Sequence, residues 1–273
     1  MTPYAMVLGI AQDGGYPQAG CTRPDCIAAF KDPRLRRHVA SLAIVDPQTH
    51  QQWMIDATPD FAEQLAMLDS PHLDGILLTH AHIGHYLGLA QLGREAMGAH
   101  DVPVYAMPRM RDFLEHNGPW DQLVRLQNIR IVPIEADREI RLNDRIGVTP
   151  IVVPHRDEYS ETVAFIVRGP SRSILWLPDI DKWDKWSTPV ESVLARVDVA
   201  YIDGTFYDPS ELPGRDLREI PHPLMIESMK RLAAYAAKIR FIHLNQSNPA
   251  LRDPSIVERN GFHVASERER TPL

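Results

Sequence analysis

Cysteine is almost missing from this chain: its 273 residues include only Cys21 and Cys26. A disulfide-built scaffold is therefore excluded, because such folds rely on several bridges. The pair in "GCTRPDC" leaves three readings open: two free thiols, a local disulfide, or half of a structural metal site, since zinc normally takes four ligands. Long apolar runs are lacking too, and none approaches the ~20 residues of a membrane-crossing helix. The opening "MTPYAMVLGIAQDGG" has neither the basic start nor the cleavage site of a secretory signal, so the expected location is the cytoplasm. Basic character is scarce: the formal charge is −7 and no basic run offsets it, which argues against nucleic acid as a partner. The dinucleotide fingerprint Gly-x-Gly-x-x-Gly is also absent. "AQDGGYPQAG" has glycines without that spacing, and no clear helix is expected after it.

What is present describes an ordinary globular chain, 44% hydrophobic and 24% charged. That length can bury a sizeable core, and residues 1–273 are expected to form one domain. The 23 prolines are dispersed and mark many short loops rather than a linker. Short β-type runs recur as "YAMVLGI", "VASLAIVD", "QWMIDA", "GILLTH", "PVYAM", "IRIVPI", "GVTPIVVPH", "TVAFIVR", "SILWLP", "VDVAYID" and "IRFIHL". Helical spacing is found in "DFAEQLAMLD", where Asp60 suits an N-cap, in "HYLGLAQLGREAMG" and in "HPLMIESMKRLAAYAAK". Some strands follow one another directly and others are separated by single helices. The order fits an α/β sandwich of two sheets with flanking helices better than a doubly wound parallel sheet.

The densest chemistry lies in "THAHIGHYLG", where His80, His82 and His85 follow the apolar run "DGILL". Alternate side chains of an extended segment point the same way, so His80 and His82 can share an ion. His85 can face the same pocket and serve a second one. Further candidates stand at strand ends: His155 after "TPIVVP", Asp179 after "SILWLP", Asp203 after "VDVAYI", and His243 in "IRFIHLN". Strand ends gather along one edge of a layered fold, where sites are built. Imidazole suits zinc, and a carboxylate can bridge two ions.

"LLTHAHIGHYLGL" resembles the His-x-His-x-Asp-His signature of the metallo-β-lactamase superfamily, and His155, Asp179 and His243 follow in the order of its later motifs. "AQDGGYPQAGC", "VPHRDEYSETVAF", "YIDGTFYD" and "FIHLNQSNP" are similar to segments of the pyrroloquinoline quinone biosynthesis protein B family. The resemblance implies a four-layer αββα sandwich. It also implies one ion on His80, His82 and His155 and a second on His85 and His243, with Asp179 bridging and with Asp179 and His243 in the catalytic machinery. The signature aspartate falls on Gly84, which leaves the second site one ligand short. Water or Asp203 are the candidates to fill the gap, with a plain turn role the alternative for Asp203. On this reading Gly84→Asp should tighten the second ion. Some relatives hold a structural zinc near Cys21 and Cys26, but Arg23 stands where another thiolate is expected, with His222 a substitute candidate.

The implied activity is hydrolysis of a small-molecule ester, lactone, amide or phosphodiester by one or two Zn2+ ions, with Fe2+ or Mn2+ as alternative metals. An iron-dependent oxygenase-type or accessory step in cofactor synthesis and a non-catalytic carrier are the competing readings. Arg156 is the candidate for an anionic group, and Tyr159, Trp183, Trp186 and Tyr207 are candidate pocket walls.

Overall fold

The computed structural model describes residues Met1–Leu273. Six strands come first: β1 (Tyr4–Gly9), β2 (Ser41–Asp46), β3 (Gln51–Ile55), β4 (Gly75–Leu77), β5 (Val102–Ala106) and β6 (Ile129–Pro133). Seven more follow: β7 (Ile140–Arg141), β8 (Gly147–Val152), β9 (Val163–Arg168), β10 (Ser173–Leu177), β11 (Val199–Asp203), β12 (Ile239–Ile242) and β13 (His263–Val264). The last strand, β14 (Arg270–Pro272), returns to the first sheet beside β1. The two sheets have the orders β14-β1-β2-β3-β4-β5-β6 and β13-β12-β11-β10-β9-β8-β7. All eleven runs expected as strands are strands. Those missed, β7, β13 and β14, are two or three residues long and lie at sheet edges, too short to show a period.

Each sheet joins an antiparallel half to a parallel half. In the first, β1, β2 and β3 are antiparallel neighbours and β3 to β6 run parallel. In the second, β7 to β10 are antiparallel and β10 to β13 parallel. Strands buried along their whole length, such as β11 ("VAYID"), need cover on both faces. The other sheet and the flanking helices supply it. One apolar cluster of 73 buried residues draws on both sheets. This is the layered αββα arrangement.

Strand direction places the chemistry. β1 and β3 are both antiparallel to β2, and β4 is parallel to β3, so these three end at one edge. By the same reasoning β8, β10, β11 and β12 share a direction. Ligands in sheets of this kind collect beyond the carboxyl ends of strands.

Helices depart from expectation in four places, one of them "HPLMIESMKRLAAYAAK", which is α-helical only over Met225–Arg231 before a 3-10 stretch at Ala233–Lys238. Helix α1 (Pro24–Lys31), with proline in its first turn, does follow the glycine-containing loop after β1. The segment from His85 to Gly98 forms no continuous helix but one turn at Ile83–Tyr86 and a 3-10 stretch at Leu87–Leu92. Gly88 explains the break: its N–H donates to the Ala57 carbonyl, and a Cβ there would lie 2.2 Å from the Thr58 oxygen. Asp60 precedes a helical turn at Phe61–Leu65, but its carboxylate accepts from the Val39 N–H instead of capping. No helix is long and apolar enough to cross a membrane.

Candidate metal centre

The carboxyl ends of β1, β3, β4, β8, β10, β11 and β12 deliver Asp13, Asp56, the three-histidine loop, His155, Asp179, Asp203 and His243. His80 Nε2 and His82 Nδ1 lie 2.9 Å apart, and His155 completes a trio whose donor atoms fall within 4.8 Å of one another. His85 and His243 form a second set. Asp179 stands between the two. Its Oδ1 is 3.6 Å from His155 Nε2, while its Oδ2 is 3.1 Å from His85 Nε2 and 3.3 Å from His243 Nε2.

Buried partners aim these donors. Asp56, at the end of β3, lies 2.7 Å by Oδ2 from His85 Nδ1 and accepts the Thr79 N–H at 2.8 Å. The Thr79 hydroxyl also bonds to Asp56 and lies 3.0 Å from His80 Nδ1. Fixing Nδ1 in this way leaves Nε2 free to meet an ion. In the second sheet, Asp203 accepts from the Thr205 hydroxyl at 2.7 Å, and that hydroxyl is 3.0 Å from His243 Nδ1. Asp56 and His243 have φ values of 66° and 61°, a strained region for side-chain-bearing residues that turns both toward the site.

Asp56→Ala is expected to lower the stability of the metal-free protein by about 3–5 kcal/mol, because Thr79 and His85 lose a buried partner. Denaturant unfolding measures this; a loss below about 1 kcal/mol would contradict the supporting role given to Asp56.

Two residues were not picked out in the sequence as part of this centre. Asp13 Oδ1 lies 3.2 Å from His85 Nε2 and 3.4 Å from His243 Nε2. His222, from the proline-flanked "IPHP", is buried with its Nδ1 2.7 Å from Asp203 Oδ2 and its ring centroid 5.3 Å from that of His155. It is thus at this centre, not beside the cysteines. A strand-end rule applied to β1 would have found Asp13; no comparable signal marks His222.

Other expectations are corrected. The carboxylate against Gly84 is that of Asp13, while the Asp203 oxygens are engaged by His222 Nδ1, the Ile180 N–H and the Thr205 N–H and hydroxyl, and Asp203 lies in a potential ligand trio with His222 and His243. Cys21 and Cys26 are joined in a disulfide, so neither offers a thiolate to a metal. Trp183 and Trp186 are buried, their indole N–H groups donating to Ser228 Oγ and the Val152 carbonyl. Tyr207 packs against the core and does not line the open cleft beside the histidines. Arg156 and Tyr159 do line it, with Asp13, His82, Tyr86, Phe113 and Trp120, around about 670 Å³.

The donor atoms themselves test whether ions suit this site. His85 Nε2, Asp179 Oδ2 and His155 Nδ1 are buried without hydrogen-bond partners. Asp13, Asp56, Asp179 and Asp203 have no Lys or Arg partner, and their ion-pair partners are histidines alone. Such a concentration of buried carboxylate calls for positive charge. Burial, then the neighbouring His85, holds the pKa of His80 well below the ordinary histidine value. Burial also lowers His82 and brings His155 to about 4, so these rings are neutral at pH 7, the form that binds metal. For His85 the balance reverses: burial is outweighed by the Asp56 charge and by close contact with the Asp13, Asp179 and Asp56 carboxylates, and its pKa lies well above the ordinary value. The residues fit a pair of cations.

A family model described as a beta-lactamase superfamily domain matches residues 52–244. The coenzyme PQQ synthesis protein B of Rhodopseudomonas palustris (strain TIE-1) is 30% identical over 288 residues, covering 90% of this chain and 90% of that protein. The chain belongs to the metallo-β-lactamase superfamily, in its PqqB branch. Zn(2+)-bound PqqB from Methylobacterium extorquens has the same fold, with a TM-score of 0.82 at 21% identity over 99% of this chain and 100% of that one. A diphosphatase of the PhnP family follows with a TM-score of 0.75 at 22% identity, over 100% of this chain and 98% of the other. Against the superfamily signature, this PqqB-branch chain departs only at Gly84 within "HAHIGH".

Proposed function

We propose that this protein is a metal-dependent hydrolase holding two divalent cations, zinc foremost, and acting on a small-molecule ester, lactone, amide or phosphodiester. The observation carrying this reading is the split of Asp179, whose two oxygens face separate histidine sets. His80, His82 and His155 would hold one ion and His85 and His243 the other, with Asp179 common to both. A zinc pair in such a site supplies hydroxide at neutral pH and polarises the oxygen of the scissile group.

The remaining steps belong to the chain's own side chains. The cleft presents Tyr86, Phe113, Trp120 and Tyr159 as an aromatic wall and Arg156 as a cationic group, a combination suited to a flat or apolar body with an anionic substituent. Asp203 fixes the His222 ring beside Asp179 and favours its protonated form, so His222 can hold a proton for a leaving group.

The names of the PqqB relatives support a second reading, an accessory step in coenzyme PQQ synthesis, for which iron-dependent oxygenase-type chemistry is the form we propose. Metal analysis of protein purified without added metal separates the readings. Two zinc ions per chain support the hydrolase, iron the second reading, and no metal a carrier that has lost its chemistry. A panel of lactones, β-lactams and phosphodiesters then tests hydrolysis directly. His82→Ala is expected to lose the ion shared with His80 and His155 and to abolish turnover; full activity in that variant would refute the centre.

A further inference from the structure

Gly84 stands at the one motif position where a carboxylate is expected. Its backbone is not in the left-handed region, so conformation does not call for glycine there. Space does. A Cβ on Gly84 would lie 2.3 Å from Asp13 Oδ1 and 2.6 Å from Asp13 Cα, distances that no packed pair of atoms tolerates. Asp13 cannot simply withdraw, because its segment is tied down on both sides. Leu244 donates to the Ile10 carbonyl and accepts from Gln12 N–H at 2.8 and 2.9 Å, which fixes the strand beside His243. The Gly15 N–H then closes a turn onto the Gln12 carbonyl at 2.7 Å, with Asp13 at its corner.

We infer that Asp13 is a ligand of the second cation, replacing from the end of β1 the carboxylate that the histidine motif has lost, and that Gly84 is glycine because Asp13 occupies its side-chain space. The inference rests on the two-cation reading above and adds the fourth protein donor to its second site. Asp13 Oδ1 and Asp179 Oδ2 lie 3.2 and 3.1 Å from His85 Nε2, and 3.4 and 3.3 Å from His243 Nε2. Donors placed tetrahedrally around zinc at ~2.0–2.1 Å are ~3.3 Å apart. The four carboxylate-to-imidazole edges, of the six in such a tetrahedron, match that spacing. The earlier expectation for Gly84→Asp is thereby reversed: with Asp13 present, the added side chain collides and should weaken the second ion.

The test is a carboxylate swap read by metal binding. Wild type, Asp13→Ala, Gly84→Asp and the double variant Asp13→Gly/Gly84→Asp are titrated with Zn2+ against a competing chelator, with folding checked by circular dichroism. Asp13→Asn, nearly isosteric, serves in place of Asp13→Ala if the latter unfolds. Wild type should hold two ions. Removing the Asp13 carboxylate should weaken one of them by at least roughly 100-fold, since even outer partners of metal ligands cost 10–100-fold. The double variant should recover most of the loss. Two ions held with wild-type affinity in Asp13→Ala or Asp13→Asn, or a double variant no better than Asp13→Ala, would overturn the assignment while leaving the two-cation reading in place. A wild type that holds fewer than two ions would overturn both.

Discussion

Asp179→Ala should strip the protein of both ions in one substitution. The other proposed donors each belong to one histidine set, whereas the Asp179 oxygens address both, at 3.6 Å from His155 and at 3.1 and 3.3 Å from His85 and His243. Its removal deletes the one carboxylate that faces both sets, leaving Glu158 beside His82 and Asp13 beside His85 and His243. After desalting, metal content should fall from about two ions per chain to well below one. Turnover should drop about 10³-fold or more, because hydroxide is no longer available at neutral pH. Thermal unfolding gives an independent reading. An ion present at 1,000 times its Kd stabilises a folded protein by about 4 kcal/mol, so added Zn2+ should raise the Tm of wild type and not that of Asp179→Ala. An equal shift in both proteins would mean that the stabilising ion sits elsewhere.

Most of the scaffold that presents Asp179 was legible because its inner strands are long and apolar. "SILWLP", "VDVAYID" and "IRFIHL" each announce a buried strand, and a residue of the centre stands at or just past each strand's end: Asp179, Asp203 and His243. The histidine motif is equally plain, since its residues are near neighbours in sequence. What sequence order conceals is which loops meet. Asp13 lies far ahead of the motif, and only the β1–β2–β3 pairing together with the Ile10–Leu244 contacts shows that its turn reaches His85 and His243. Asp203 was read as ligand or turn residue, but its hydrogen bonds make it the anchor for Thr205 and His222. Burial separates the tryptophans among the aromatic candidates from Tyr159. Trp183 satisfies its indole N–H within the interior, while Tyr159 stays exposed at the cleft.

His222→Ala should leave metal content unchanged and lower kcat by about 10²–10⁴-fold, the range expected for loss of a positioned proton donor. Its Nδ1 is committed to Asp203 at 2.7 Å and stands 3.9 Å from Asp179 Oδ1, so the ring borders the metal ligands. Burial alone would lower its pKa. The Asp203 charge and hydrogen bond, joined by the charges of Asp179 and Asp13, outweigh burial and raise it above the ordinary histidine value. A donor with a raised pKa stays protonated on the acid side and loses its proton as pH climbs through that value. The kcat of wild type should therefore fall on the alkaline side of its profile, and the variant should lack that limb. The leaving group decides how much is lost. A substrate releasing a good leaving group, such as a nitrophenolate, needs little protonation and should be hydrolysed by His222→Ala nearly as fast as by wild type; one releasing an alkoxide should show the full deficit. Equal losses on both substrates would point instead to a role in shaping the site. A simultaneous loss of one ion would make His222 a ligand rather than a proton donor.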